Sequence, residues 1–354
     1  MPDPAASPPP NSPAQAKQPD RPWRLLSLPP LPAEAIDGLL GDLPIEVVVA
    51  EISSEADLRD AVRDVDLVLG DWRIAQPGLS AETVAAARSL AFVQQPSVGV
   101  QAHDGDALAA AGIPLANVAG FNAVSVAEWA VGALLSLARL LHWSEDELRD
   151  GRWPQTEVVQ RGAVEIAGRR VGLVGFGSIG QALAARLAAF GCPVSYWSRR
   201  RRSPDEEGAA TFVDDLGTLV EGSDVLVNAV ALTAGTRNLL DRALLERLPH
   251  GALLVNASRG GIVDEAAVAE LIDTGRLAGA AFDVYATEPI PADSPLLRLP
   301  RERILLTPHI AGSTAQSITR LLQRTVANLG RAVRGEPVED VVNEVDPVVR
   351  RRRG

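Results

Sequence analysis

The segment that most restricts this chain is Gly175-Phe176-Gly177-Ser178-Ile179-Gly180. It directly follows the apolar run Val171-Gly172-Leu173-Val174 and opens a stretch with the periodicity of an amphipathic helix. A G-x-G-x-x-G motif between strand and helix marks a dinucleotide site. Gly175 permits the tight turn, Gly177 lets the backbone approach a pyrophosphate, and Gly180 lets helix and strand pack closely. Ser178 and Ile179 open the helix, whose free N–H groups favour an anion.

Around this motif the chain alternates short apolar runs with helical stretches, the pattern of an α/β protein with parallel sheets. In the first half, residues 45–49, 65–69 and 90–93 read as strands, and 54–64 and 80–88 as helices. An apolar stretch over 123–141 is too long for a strand and reads as a helix covered on more than one side, by its own domain or by a second subunit. A second series follows, with strands at 170–174, 194–197, 225–231, 252–256, 278–284 and 304–306 and a helix at 179–190. Another helix starts after Asp264, an acidic N-cap, and ends near Gly275, with a last helix at 314–329. The expected fold is two doubly wound parallel-sheet domains, with a Rossmann dinucleotide-binding domain (123–313) inserted in a flavodoxin-like substrate domain (23–122 and 314–345). Proline-rich residues 1–22 read as a disordered tail and 346–354 as a solvated basic tail.

Composition removes several classes. A formal net charge of −11 argues against a general nucleic-acid surface. Cys192 is the only cysteine, so an intramolecular disulfide and thiolate metal clusters are excluded, and no metal site is read. Lys17 is the only lysine, which excludes a catalytic lysine from the folded part. No secretory signal and no membrane-spanning apolar run is read, so a cytoplasmic location is expected.

The strand after the glycine motif selects the dinucleotide. An NAD site usually ends that strand with an acid that bonds the ribose 2′-hydroxyl. Here the chain reads Tyr196-Trp197-Ser198-Arg199-Arg200-Arg201-Arg202, and the nearest acid is Asp205. Arg199 and Arg200, with Ser198, suit a 2′-phosphate, so NADP(H) is expected to be preferred, with NAD(H) possible.

Three further segments place polar residues just past predicted strand ends, the edge where open α/β sheets bind ligands. They are Asn256-Ala257-Ser258-Arg259-Gly260-Gly261, Asp283-Val284-Tyr285-Ala286-Thr287-Glu288-Pro289 and Thr307-Pro308-His309-Ile310-Ala311-Gly312. With the glycine motif, their order and spacing resemble the D-isomer-specific 2-hydroxyacid dehydrogenases over nearly all of the chain after Trp23. The resemblance implies that Arg259 binds the carboxylate and carbonyl of a small 2-keto or 2-hydroxy acid. It makes His309 the general acid/base and Glu288 its partner. Asp283 is expected to hold the nicotinamide carboxamide, and Val230, Thr236 and Ser258 to line the cofactor cleft. The chemistry is coherent: a guanidinium fork clamps a 2-keto acid, and an imidazolium protonates the forming alkoxide. A carboxylate beside the imidazole fixes its tautomer.

On the substrate side, Ser97-Val98-Gly99-Val100-Gln101-Ala102-His103-Asp104 resembles the family loop whose N–H groups hold the substrate carboxylate, which points to Val98 and Gly99. Ser97 and Gln101 stand where the family commonly has glycine and aspartate, and Trp129 where it commonly has histidine. Gly70-Asp71-Trp72 is either a reach toward the substrate mouth or a surface turn. His103, His142 and His250 are read as structural. The resemblance implies a homodimer and NADPH-dependent reduction of a glyoxylate- or hydroxypyruvate-type acid to the D-2-hydroxy acid. A specialised reductase of a secondary pathway stays open. Within the family, the glutamine of formate dehydrogenases at the Glu288 position and the lysine of phosphite dehydrogenases disfavour those branches. The alternative from another class is a cofactor-sensing regulator like the corepressors on this fold, against which the absence of an added partner-binding module weighs.

Overall fold

The computed structural model describes residues 21–29, 31–72 and 76–352. Most of the proline-rich stretch, Lys17 and Arg353 therefore lie outside the described residues. The chain divides into two compact units, one of residues 1–119 and 322–354, the other of residues 120–321.

The first unit holds a five-stranded parallel sheet of β1 (Trp23–Ser27), β2 (Ile45–Val49), β3 (Leu67–Leu69), β4 (Phe92–Gln94) and β5 (Leu115–Ala116), in the order β2-β1-β3-β4-β5. That is the flavodoxin-like order. The sequence reading misses β1, whose five residues follow directly on the prolines yet pair in register with all of β2. Leu25, Leu67 and Phe92 fill one face against the helix Ala315–Arg334, and Leu26, Val68 and Val93 fill the other.

The C-terminal arginines depart from the expected solvated tail. Asp66, just before β3, has a fully buried carboxylate. It accepts from Arg21 at 3.0 and 3.1 Å, from the Arg24 N–H at 2.9 Å, and from Arg351 at 2.9 and 3.2 Å. The Arg351 guanidinium also lies 4.8 Å from the centroid of the Trp23 ring, and Arg352 donates to the carbonyl of Ala111. Burial pushes the Asp66 carboxyl up, but the hydrogen bonds from Arg351 and Arg24 and the nearby charges outweigh it and hold the pKa below the usual carboxylate value. A desolvated carboxylate must be paired, which is why these arginines fold back.

A second polar network lies past the carboxyl ends of β3 and β4. The Leu79 N–H donates to His103 Nδ1 at 3.2 Å, so the ring proton sits on Nε2, 2.9 Å from Gln95 Oε1. Gln95 Nε2 donates to the Asp71 carbonyl and to Ser97 Oγ, and Ser97 donates on to the Gly99 carbonyl at 2.7 Å. A Cβ on Gly70 would fall 1.9 Å from Gln95 Oε1, so a larger residue there would displace the Gln95 amide from its place beside His103. Burial pushes the His103 imidazole down to about 4.

The second unit holds a seven-stranded parallel sheet: β6 (Val171–Val174), β7 (Val194–Trp197), β8 (Thr211–Phe212), β9 (Val225–Asn228), β10 (Ala252–Asn256), β11 (Leu277–Phe282) and β12 (Ile304–Leu306). Its order is β12-β11-β10-β9-β6-β7-β8. The order reverses between β6 and β9, directly under the glycine motif. Several sequence expectations need correction. The strand expected over 278–284 ends at Phe282, and the last helix, expected to stop at 329, runs on to Arg334. The strand expected to reach 231 stops at Asn228, whose side-chain amide turns to Asn256 Oδ1 at 3.0 Å. The long helix ends at Ala138, because Leu140 takes a left-handed conformation (φ 54°), and the chain restarts as the helix Leu141–Arg149 at an angle of 61°. Most of Ala123–Ala138 is buried within its own unit. Among the described residues no single helix is long and apolar enough to cross a membrane.

Two stability measurements test this reading of the first unit. Asp66→Ala leaves the Arg351 and Arg21 guanidiniums without their acceptor and is expected to cost about 3 kcal/mol in urea unfolding; a loss below about 1 kcal/mol would refute the anchoring role. For His103 the folded pKa of about 4 lies below the unfolded value of roughly 6.5. Between these values the unfolded chain takes up a proton that the folded chain refuses. Stability fully present above pH 6.5 is thus lost progressively as pH falls toward 4, by about 2 kcal/mol at pH 5. In His103→Gln the pH 7 to 5 difference in denaturation midpoint is expected to shrink accordingly.

Candidate active site

The glycine loop leaves β6 with Gly175 at φ 101°, where a Cβ would lie 2.8 Å from both the Ala229 backbone and Val230 Cγ1. A Cβ on Gly180 would lie 2.6 Å from the Gly175 carbonyl oxygen, so the helix Ser178–Ala189 seats directly on the loop. Gly177 differs: a Cβ there would meet nothing within 4 Å. Gly177 also gives the helix no side-chain cap, and the N–H groups of Ser178 and Ile179 have no acceptor among the described residues. This cradle fits a pyrophosphate.

The arginine run after β7 splits into two kinds. Arg201 pairs with Glu207 at 2.8 and 3.1 Å, and Glu207 also accepts from Tyr196 at 2.6 Å. Arg202 donates from Nε to the carbonyl of Phe176, inside the glycine loop, at 3.1 Å. These two are anchors. Ser198 turns its hydroxyl onto the Arg200 carbonyl at 2.5 Å. Arg199 and Arg200 are exposed and have no ion-pair or side-chain hydrogen-bond partner among the described residues. Asp205, the nearest acid in sequence, is exposed on the following turn of helix.

The three other motif segments converge past β10, β11 and β12. Ser258 donates to the Val230 carbonyl, tying the loop after β10 to the loop after β9. Thr236 is buried and spends its hydroxyl on the carbonyl of Ala231 at 2.6 Å, closing its own turn. Arg259 is half-buried and donates to the Ser258 carbonyl at 2.8 Å. No carboxylate lies within ion-pair distance of it among the described residues. Burial pushes the Arg259 guanidinium pKa down, and the Glu288 charge offsets part of that. A half-buried cation with most of its donors unused is a site for an anion.

His309 Nδ1 lies 2.8 Å from Glu288 Oε2, and Glu288 Oε1 accepts from the Tyr285 N–H at 3.0 Å. His309 adopts φ 56°, rare for a residue with a side chain. That backbone is held by its N–H donating to the carbonyls of Asp283 (2.8 Å) and Thr307 (3.0 Å). The Asp283 carboxylate fixes the rest of the loop, accepting from Thr307 Oγ1 and from the N–H groups of Ile310 and Ala311, at 2.5 to 2.8 Å. Most of its acceptor capacity therefore goes to the His309 loop. Trp129 packs behind these segments with Ile179, Val126, Ala257 and Ala311, as part of the core.

In the first unit, Val98 is exposed and Gly99 buried. Neither N–H finds an acceptor among the described residues, while the Val98 carbonyl accepts from Asn117 at 2.8 Å. The Asp71 carbonyl belongs to the same network through Gln95.

Sequence reasoning missed Glu265 and Tyr285. Tyr285 is pushed up to about 12 by burial and by the Asp283 charge, and it donates to the carbonyls of Phe282 and Thr307. Glu265 accepts from the Ala286 N–H at 2.6 Å. Its place beside the N-cap Asp264 makes it look like an ordinary first-turn acid.

The sequence model of the family described as "D-isomer specific 2-hydroxyacid dehydrogenase, NAD binding domain" matches residues 131–311. The chain is 32% identical over 321 residues to a D-3-phosphoglycerate dehydrogenase of Archaeoglobus fulgidus, covering 90% of this chain and 59% of that protein. It thus spans about three fifths of that relative's length. A glyoxylate reductase of Korarchaeum cryptofilum is 32% identical over 286 residues, 80% of this chain and 85% of that protein. Among solved structures, the NAD-dependent formate dehydrogenase of Staphylococcus aureus in complex with NAD superposes with a TM-score of 0.71 at 28% identity, covering 87% of this chain and 95% of that one.

Proposed function

The chain belongs to the D-isomer-specific 2-hydroxyacid dehydrogenase family, and within it we propose that this protein is an NADPH-dependent reductase of a small 2-keto acid, of the glyoxylate or hydroxypyruvate type. One observation carries the proposal: the Glu288–His309 pair, held on a braced loop, accompanies a half-buried Arg259 that has no acid within ion-pair distance among the described residues. The relative named glyoxylate reductase, most of whose length the chain covers, supports the substrate class.

A nicotinamide dinucleotide held by the Gly175–Gly180 loop would supply the hydride. The guanidinium of Arg259 binds the carboxylate and polarises the ketone of the substrate. Glu288 takes the Nδ1 side of His309, which leaves Nε2 to give its proton to the developing alkoxide oxygen. In the oxidative direction the same nitrogen removes the hydroxyl proton. The open N–H groups of Val98 and Gly99 suit the substrate carboxylate. Asp283 and Thr236, whose polar atoms are largely used within the protein, would act on the cofactor chiefly by shaping the loops around it.

The cofactor preference rests on Arg199 and Arg200. They are exposed, have no side-chain partner among the described residues, and lie between the end of β7 and the anchored Arg201 and Arg202. We also propose a homodimer. The apolar side chains left exposed in the second unit include Leu141, Leu148, Trp153 and Val159, which follow one another just after the long helix. A second copy of this chain would cover them.

Both assignments are measurable by following 340-nm absorbance with a panel of 2-keto acids. Arg259→Ala and His309→Ala are each expected to lower kcat/KM by about 10²-fold or more, with NADPH affinity by fluorescence within a few-fold of wild type. Near-normal turnover in either variant would refute its role. The wild-type chain is expected to favour NADPH over NADH, and Arg199→Ser/Arg200→Ser to lose on the order of 10²-fold in kcat/KM for NADPH with little change for NADH. A wild-type preference for NADH would overturn the cofactor reading.

A further inference from the structure

The turn Tyr285-Ala286-Thr287-Glu288 carries the carboxylate that orients His309. It is closed by the Tyr285 N–H donating to Glu288 and tied to the loop after β12 by the Tyr285 hydroxyl. Its middle, the Ala286 peptide, is held by two further groups from other segments. On one side lies Gly260, next to Arg259: a Cβ there would fall 1.7 Å from the Tyr285 carbonyl oxygen and 2.5 Å from the Ala286 nitrogen, so backbone packs on backbone. On the other side Glu265, the first residue of the helix Glu265–Asp273, accepts the Ala286 N–H at 2.6 Å. The Ala286 peptide is thus gripped between the Arg259 loop and the Glu265 carboxylate, two residues before Glu288.

We propose that Glu265 is a positioning residue of the proton-transfer pair: it clamps the turn that carries Glu288 and places a second negative charge behind it. The inference rests on the reading of His309 as the proton donor. The Glu265 carboxyl is set apart from a surface acid by burial, which pushes its pKa up; the Ala286 N–H pulls it down, while the charges of Glu288 and Asp264 push it further up. The charged and titratable groups of this cluster are Asp264 on its own helix, Tyr285 and Glu288 on the clamped turn, Asp283 at the end of β11, Arg259 after β10, and His309 after β12. Among them Arg259 is the cation present at every working pH. An added anion therefore favours the protonated state of the pair as a whole.

Two variants of the full chain separate the clamp from the charge. Glu265→Gln keeps a carbonyl oxygen for the Ala286 N–H and removes the charge, whereas Glu265→Ala removes both. Reduction needs the proton on His309, so kcat/KM falls as pH rises through a midpoint. In Glu265→Gln that midpoint is expected to move to lower pH by roughly half a unit, with the low-pH plateau within about threefold of wild type. Glu265→Ala is expected to show the same shift and also to lose about tenfold in kcat, with KM for NADPH unchanged. A Glu265→Gln profile that superposes on wild type, or a Glu265→Ala variant with full kcat, overturns the inference. A wild-type chain that reduces no keto acid would instead defeat the parent reading. In that case the NMR titration of the His309 imidazole in wild type and Glu265→Gln reads the same charge effect without turnover, and identical curves overturn the inference.

Discussion

The buried carboxylate of Asp283 organises the second unit's working edge. It stands one residue past β11, and its oxygens collect a hydroxyl and two backbone N–H groups from the loop after β12. Its own carbonyl takes the His309 N–H. Without that set of acceptors, several donors of the loop would be buried unpaired, each at a cost of about 1–3 kcal/mol. The left-handed backbone of His309 would then have nothing to enforce it. The imidazole therefore reaches Glu288 because a neighbouring acid has fixed the loop, and Glu288 stays in place because Gly260 and Glu265 grip its turn. Chemistry at this edge depends on a chain of backbone donors that ends in two carboxylates outside the reacting pair.

Much of this was legible because it is local. Strands β7, β10 and β12 carry short apolar runs bounded by polar residues, and they fall where the periodicity sets them. The glycine motif declares both its strand and its helix. The Asp264 cap and Gly275, at φ 75°, are local signals of the same kind. Where pattern and structure part, the cause lies in partners distant in sequence or in a single backbone torsion. β9 ends at Asn228, where the side chain bonds its register partner Asn256, although the apolar run continues. Leu140 breaks a helix whose composition gives no stop signal. Glu265 reads as a helix-start acid because Ala286, 21 positions on, is invisible from its neighbours.

The arginine run after β7 is the clearest case of identical letters with different work. Arg201 neutralises Glu207, beneath the stacked rings of Tyr196 and Phe176, whose centroids are 3.9 Å apart. Arg202 bonds the Phe176 carbonyl and so joins this strand end to the glycine loop. The sequence justified reading the run as a cationic site, yet only the partners show that two of the four side chains are occupied. A basic stretch is thus a poor guide to how much charge a ligand would meet, because internal acids consume part of it.

The Asp66 carboxylate bears on how the chain is made. Its guanidinium partner Arg351 lies 285 positions later, beyond the entire second unit. At ribosomal rates that interval is on the order of 15–60 s. During it β3 is already synthesised, while a carboxylate destined for burial has only Arg21 and the Arg24 N–H to meet it. Residues 120–321 hold a sheet whose strands are all contiguous in the chain, so nothing delays their assembly. The order of completion is therefore the reverse of the order of synthesis: the unit begun first is finished last, when the closing arginines emerge.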